Sequence, residues 1–220
     1  MGDISRIVES FCASVTAAAP ATVPFRYWLP RDILPEAEAE AVCALPIAPP
    51  AITSTAGKRE TNNATRLFFC EDSRARFPVC ERIAQALQHP KATGTLESHC
   101  GVALKGTNLR IEYCQDTGSF WLEPHKDIVE KKVTLLIYLS RGPEAESWGT
   151  DIYDGSLARV ATAPCGFNLG LIFLPGADTW HGFEKRTITG VRRSLIVNYV
   201  TPAWRARHEL SFRDRPVGSA

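Results

Sequence analysis

The chain has 220 residues, of which 45% are hydrophobic and 22% are charged, and its 25 Lys and Arg residues nearly balance its 24 Asp and Glu residues. This length is ample for one domain with elaborations, and the composition is that of an ordinary globular protein. The net charge is +1 and there is no long basic cluster, so the sequence does not predict a positively charged surface that would bind nucleic acid or an anionic membrane. Neither is therefore an expected partner.

The seven cysteines are widely spaced, mostly have apolar neighbours and form no CxxC pair. This pattern favours buried, reduced thiols over a disulfide framework or a zinc site. The N-terminus lacks a basic segment followed by an apolar one, and no stretch approaches the roughly 20 apolar residues of a membrane-spanning helix. We therefore expect a cytoplasmic protein.

The first part of the chain, residues 1–105, has the pattern of helices and loops. Helices are expected at residues 4–18, 32–45 and 73–87, and the last of these carries apolar residues at helical spacing and stops at His89-Pro90. We expect this region to pack on the part of the chain that follows it.

From residue 106 to residue 205 the pattern changes to short, β-branched segments separated by turn residues. Such segments without intervening helices favour a sandwich or barrel over a doubly wound sheet. Residues 206–220 are expected to form a polar C-terminal extension at the surface. Strands are predicted at residues 109–114, 119–123, 132–139, 150–153, 169–174, 179–183 and 191–200.

Two His residues and one Asp are candidate metal ligands. His125 and Asp127 are two positions apart, so extended backbone would direct both side chains to the same side. His181 follows an apolar strand and a Pro-Gly turn, which would bring it across a small barrel to face them. Each residue alone fits an ordinary surface or packing role, but two His and a carboxylate together form the facial triad of non-haem Fe(II) sites.

The last predicted strand offers a candidate anion site. Its residues alternate, so that Arg192 should face the barrel interior and suit the far carboxylate of a dicarboxylic acid. Arg193 is the weaker candidate, because its charged head should emerge at the end of the sheet. The inward face is expected to carry Ser194 and Asn198 beside Arg192, and the apolar outward face Leu195, Val197 and Tyr199.

The ordered set of HxD, a distal His and Arg-x-Ser resembles the Fe(II)/2-oxoglutarate-dependent oxygenases, most closely their prolyl-4-hydroxylase-like branch. The resemblance covers roughly residues 108–205 and includes a strand ending in Tyr113, a second strand ending in Tyr138 and the Trp148-Gly149 pair. It implies a mainly β fold with N-terminal helices, namely a double-stranded β-helix (a cupin-like jelly roll) with the helices packed on one sheet.

The resemblance also implies roles for single residues. His125, Asp127 and His181 would bind Fe(II), Arg192 and Tyr138 would bind the distal carboxylate of 2-oxoglutarate, and Tyr113 would line the cosubstrate pocket. The implied reaction is dioxygenase hydroxylation of an unactivated C–H bond with release of succinate and CO2. Its substrate would be a small molecule or a peptidyl residue, with ascorbate as an optional reductant.

Other interpretations stay open from the sequence. A cupin-like metal enzyme that does not use 2-oxoglutarate would need no Arg192–Tyr138 anchor, and a non-catalytic jelly-roll binding module would need no converging His and Asp side chains. Desaturation is an alternative to hydroxylation, and the sequence does not indicate an oligomeric state. Arg110 and Lys132 could contact substrate, although solvated charges at strand ends are the simpler interpretation.

Overall fold

A computed structural model of the chain describes residues 2–52, 55–58 and 66–219. Helices lie mainly in the first hundred residues. The helices predicted at residues 4–18 and 32–45 are present with shifted ends, whereas the one predicted at residues 73–87 is divided into two by the extended Phe77. The helices in the described ranges are α1 (Asp3–Ala17), α2 (Glu36–Cys43), α3 (Glu71–Arg76), α4 (Pro78–Gln88) and α5 (Pro90–Cys100), with short 3-10 turns at Pro143–Trp148 and Arg207–Glu209.

Helix α5 was not predicted, and its start explains why. His89 is extended and precedes Pro90, so α4 ends there as expected. The same Pro then occupies the first turn of α5, where its missing N–H is not needed and its fixed φ suits a helix. Helix α5 ends at Gly101, which takes a left-handed conformation with φ 73. A Pro between two helical patterns can therefore both stop one helix and start the next.

The strands form two antiparallel sheets. The large sheet has seven strands in the order β1-β2-β9-β6-β11-β4-β3, and the small sheet has four in the order β5-β10-β7-β8. All seven predicted strands are present, with β1, β2, β3 and β8 in addition. Their bounds are β1 (Pro20–Ala21), β2 (Tyr27–Trp28), β3 (Leu67–Phe68), β4 (Asn108–Gly118), β5 (Leu122–His125), β6 (Lys131–Tyr138), β7 (Asp151–Tyr153), β8 (Arg159–Thr162), β9 (Leu169–Phe173), β10 (His181–Phe183) and β11 (Ile188–Val200).

Alternation along the strands separates two apolar cores. On β6, Leu135 and Ile137 pack in a core with the helices, whereas Leu136 and Tyr138 belong to a second core shared by the two sheets. Strand β11 follows the same rule, with Ile196 on the side of the small sheet. Its outward residues Leu195, Val197 and Tyr199 lie in the helix-facing core, as the sequence pattern predicts.

The C-terminal segment differs from the expected surface extension. Leu210, Phe212 and Val217 are buried, and Phe212 and Val217 join the helix-facing core. The backbone of Ser211 donates to the Leu109 carbonyl at 2.9 Å, which ties the segment to β4. These apolar residues follow no helical or strand period, so the sequence pattern does not reveal that they are buried.

All seven cysteines are free thiols. Among the described residues, no helix combines the length and the apolar character needed to cross a membrane.

Candidate functional site

A cavity of about 190 Å³ lies between the two sheets. The strands β4, β5, β6, β10 and β11 contribute side chains to its wall. The cavity brings together His125, Asp127, His181 and Arg192, which are far apart in sequence. Leu122, Leu136, Phe183 and Ile196 add apolar surface.

The two histidines face each other across neighbouring strands of the small sheet. His181 on β10 is the register partner of His125 on β5, and their ring centroids are 4.4 Å apart. The Nδ1 atoms lie 2.8 Å from the Glu123 carbonyl for His125 and 3.0 Å from the Thr179 carbonyl for His181. Because a carbonyl can only accept, each Nδ1 carries the hydrogen and each Nε2 keeps its lone pair. This is the tautomer in which histidine binds a metal through Nε2.

Burial sets the charge of His181. Desolvation lowers the pKa of its imidazole to about 4, against the opposing effect of the Asp127 carboxylate. The ring is therefore neutral at neutral pH, as a metal ligand must be.

Asp127 supplies a carboxylate in the same cavity. Its burial favours the protonated form, but Lys131, His181 and Thr134 outweigh this and hold the pKa of the carboxyl below its usual range. Lys131 Nζ lies 2.5 Å from Oδ1, and the Thr134 hydroxyl donates to Oδ2 at 2.5 Å. Asp127 is therefore an ionised, oriented acceptor.

In this arrangement, no group of three or more His, Cys, Asp and Glu side chains in the described part of the chain could hold a metal ion. The Asp127 carboxylate is directed at Lys131 and Thr134. The donor types nevertheless suit Fe(II), since they comprise two imidazoles and one carboxylate. Completing a metal site therefore requires these side chains to rearrange.

Arg192 lies at another part of the cavity wall and is 1% exposed. Its Nε donates to the Trp148 carbonyl at 2.7 Å, and its Nη1 donates to Asp116 Oδ2 at 2.6 Å. The guanidinium also lies 4.7 Å from the ring centroid of Phe183. These two hydrogen bonds use two of the five N–H donors of an arginine, so the guanidinium group retains N–H donors for an anion.

Ser194 lies two positions beyond Arg192 on the same face of β11. Its side chain is fully buried, and its hydroxyl has no hydrogen-bond partner among the described residues. A buried polar group without a partner is rare in folded proteins and requires an explanation. A carboxylate bound by Arg192 would supply an acceptor for this hydroxyl, so the residues present fit such a ligand.

Tyr138 is the register partner of Ser194 on β6 and packs in the core between the two sheets, although neither residue is among the described ones that line the cavity. Its hydroxyl donates to Thr150 Oγ1 at 2.8 Å and accepts from the Thr150 N–H at 3.3 Å. Burial raises the pKa of the phenol to about 12, so it stays neutral. The Arg192 guanidinium lies 5.8 Å from its ring centroid.

The structure does not bring Tyr113 to the site. Tyr113 lies on the helix-facing side of β4 and packs in the core with the helices. It is absent from the described residues that line the cavity. Its neighbours Glu112 on β4 and Arg110 two positions earlier face the cavity instead, because successive side chains of a strand point to opposite faces.

No family model matches the chain, and no curated protein matches it in sequence. Solved structures do match its fold. One of the prolyl 4-hydroxylases from Phytophthora capsici superposes with a TM-score of 0.58 at 13% identity, over 92% of this chain and 66% of that one. A prolyl hydroxylase from Trichoplax adhaerens, solved with a peptide fragment of hypoxia inducible factor, gives 0.58 at 12% identity, over 90% of each chain. The chain has the fold of iron- and 2-oxoglutarate-dependent oxygenases.

That fold is shared by enzymes with different reactions. The epimerase SnoN from nogalamycin biosynthesis, solved with Fe3+, alpha ketoglutarate and nogalamycin RO, gives a TM-score of 0.51 at 15% identity, over 97% of this chain and 91% of that one. The similarity to these structures, all below 25% identity, concerns the fold.

A charged network on the inner face of β4 was not predicted from the sequence. Arg110, expected as a solvated charge, is 4% exposed and bonds to Glu112 at 3.0 Å and Glu209 at 2.6 Å. Arg66 also contacts Glu112, at 2.8 Å. Asp116 continues the same face toward Arg192. The period of two in Arg110, Glu112 and Asp116 is the sequence signal that points to one polar face.

Proposed function

We propose that the protein is an Fe(II)- and 2-oxoglutarate-dependent dioxygenase, which hydroxylates an unactivated C–H bond and releases succinate and CO2. The observation that carries this proposal is one cavity that holds two imidazoles with available Nε2 atoms, an ionised carboxylate and a buried arginine beside a partnerless serine hydroxyl. The fold of known oxygenases supports it.

The proposal assigns the two sheets to a double-stranded β-helix, the jelly roll of cupin-like proteins. Residues 106–205 would form this core, residues 1–105 the helical region packed on it, and residues 206–220 a C-terminal extension. The face-to-face sheets, with the helices on the outer side of the large one, support this assignment.

In the proposed site, His125, Asp127 and His181 would hold the iron. Bound Fe(II) would supply the activation of dioxygen, which is the oxidant, with one oxygen atom going to the C–H bond and the other to succinate as 2-oxoglutarate loses CO2. The Nδ1 bonds of the histidines to backbone carbonyls fix the orientation of both rings. Thr134 and Lys131 bond to the two oxygens of the Asp127 carboxylate, and the iron would compete with them for these oxygens.

Arg192, Ser194 and Tyr138 would bind the distal carboxylate of 2-oxoglutarate. Arg192 provides charge and several N–H donors, and Ser194 provides a hydroxyl that lacks another partner. Tyr138 would have to turn its hydroxyl proton away from Thr150 to contribute. The apolar side chains of Leu136 and Ile196 line the wall and keep water from the bound chain.

The substrate would be a small molecule or a peptidyl residue. The solved neighbours illustrate both, since one was crystallised with a peptide and another with nogalamycin RO. Arg66, Lys126 and Trp204 line another part of the cavity wall, where a substrate could make contact.

One observation favours the second candidate, a cupin-like metal enzyme that does not use 2-oxoglutarate. Arg192 is already paired with Asp116 inside the protein, so its charge does not require a ligand. Such an enzyme would bind the metal but would show no affinity for 2-oxoglutarate.

Metal binding is the first test. Wild-type protein reconstituted with Fe(II) without oxygen should bind about one ion, as a single facial triad does. His181→Ala should bind it far more weakly, because one of three ligands is lost. His208→Ala is a matched control, since His208 is exposed and is not among the described residues that line the cavity. Equal iron affinity in wild type and in both His125→Ala and His181→Ala would show that these residues do not form the metal site.

Cosubstrate binding separates the two candidate functions. Addition of 2-oxoglutarate to the anaerobic iron form should produce a weak visible charge-transfer band, because the keto acid can chelate through the open positions of a triad. Succinate formation across a panel of candidate substrates then reports turnover. A colourless mixture without measurable 2-oxoglutarate affinity would favour the cupin-like enzyme.

A further inference from the structure

Arg192, which lines the cavity, forms a buried ion pair with Asp116. They are direct register partners on β11 and β4, and Nη1 lies 2.6 Å from Oδ2. Their side chains are 2% and 5% exposed. The proposed anchor for the cosubstrate therefore stands beside a carboxylate of the protein itself.

This pairing changes what an incoming dicarboxylate would meet. An isolated buried guanidinium attracts an anion strongly, because the surroundings screen the charge poorly. A guanidinium paired with a carboxylate is close to neutral as a unit, and the carboxylate repels a second anion on the same fork. The distal carboxylate would then share Arg192 with Asp116 or displace it from Nη1.

We propose that Asp116 is a specificity-determining residue for the cosubstrate, because its charge weakens the binding of a distal carboxylate by Arg192. The inference rests on the proposed function, because it assumes that Arg192 binds this group. Asp116 acts through Arg192 and is not a catalytic residue. As a consequence, the site discriminates less between a keto acid with a distal carboxylate and one with a neutral polar end.

A purely orienting role for Asp116 predicts the opposite result. If Asp116 served only to aim the guanidinium, its loss would weaken 2-oxoglutarate binding. The Asp116→Asn variant separates charge from geometry, because the amide keeps an oxygen that can accept from Nη1. The bond from Nε to the Trp148 carbonyl also remains to orient Arg192.

The test is the dissociation constant of 2-oxoglutarate on nickel-loaded protein, measured by calorimetry without turnover. Asp116→Asn should bind 2-oxoglutarate roughly tenfold more tightly than wild type, as expected when a like charge is removed from a poorly screened site. Asp151→Asn is the matched control. Asp151 is also fully buried and paired with an arginine, but that arginine, Arg186, is not among the described residues that line the cavity, whereas Arg192 is. Its variant should retain the wild-type dissociation constant.

Unchanged or weaker binding in Asp116→Asn would overturn the inference while leaving the proposed function intact. Absence of 2-oxoglutarate binding in wild type and in both variants would overturn the proposed function and this inference with it. If Asp116→Asn does not fold, a measurement on wild-type protein tests the inference instead. It should bind the neutral 5-amide of 2-oxoglutarate within about tenfold of the dicarboxylate, and a preference well above that would contradict the inference.

Discussion

Arg192 and Arg193 are adjacent in sequence but lie on opposite faces of β11, and only Arg192 lines the cavity between the sheets. Arg192→Ala should weaken 2-oxoglutarate binding by about 2–5 kcal/mol, as the loss of one partner of a buried charge pair does. Arg193→Ala is the control and should cost less than about 1 kcal/mol. Dissociation constants measured side by side test this, with circular dichroism to show that both variants fold. A larger loss at Arg193 would contradict the assignment.

Lys131 places a cation against the carboxylate proposed as a metal ligand. Lys131→Gln should increase Fe(II) affinity, because the ammonium competes for Asp127 and repels a second cation. The pair is partly exposed, so an effect of up to about fivefold is expected. Lys132→Gln, at an exposed neighbouring position, is the control. Anaerobic metal titration measures both, and weaker binding in Lys131→Gln would show that Lys131 supports the site.

The position of a single side chain could be predicted where the alternation along its own strand was enough to define the face on which it lies. The alternation on β11 placed Arg192 and Ser194 on the inner face correctly. Tyr113 was placed wrongly at the cavity, because a shift of one residue along a strand moves a side chain to the other face. The contact of Lys131 with Asp127 depends on the turn between β5 and β6, and the sequence pattern does not define that geometry.

At the level of secondary-structure elements, a glycine allows a close backbone approach just before β7. A Cβ on Gly149 would lie 1.8 Å from the backbone oxygen of Ala163, so the backbone would have to move. Gly149→Ala should lower the free energy of unfolding by about 1–3 kcal/mol, as overpacking does. Gly155→Ala is the control, since a Cβ there meets nothing within 4 Å. Urea unfolding measures both variants, and equal stabilities would contradict this account.

The short strands at the sheet edges illustrate what the sequence pattern misses. Strands β1, β2 and β3 have two residues each, which is too few to show a period of two. Strand β2 is held by pairing with β9, far along the chain, as Trp28 pairs with Ile172, and β3 by pairing with β4, while β1 pairs with β2. Their existence therefore depends on the assembled sheet rather than on local preference.

For the molecule as a whole, the C-terminal segment helps to close the core. Phe212 lies in the helix-facing core, and the guanidinium groups of Arg74 and Arg215 lie 4.2 Å and 4.0 Å from its ring centroid. Phe212→Ala should therefore destabilise the protein by about 3 kcal/mol. Val129→Ala, at a side chain that is 84% exposed, should change stability by less than about 0.5 kcal/mol. Thermal and urea unfolding compare the two, and similar stabilities would show that the segment adds little.

The order of strands in the large sheet determines when this sheet can form during synthesis on the ribosome. Among the described strands, β11 alone pairs with both β4 and β6, and it is the last of them to be made. Until residues 188–200 have left the exit tunnel, the two halves of that sheet have no strand in common and Arg192 has no place opposite Asp116. We therefore expect this sheet to stay open until β11 has emerged, and the cavity that Arg192 lines to form only then.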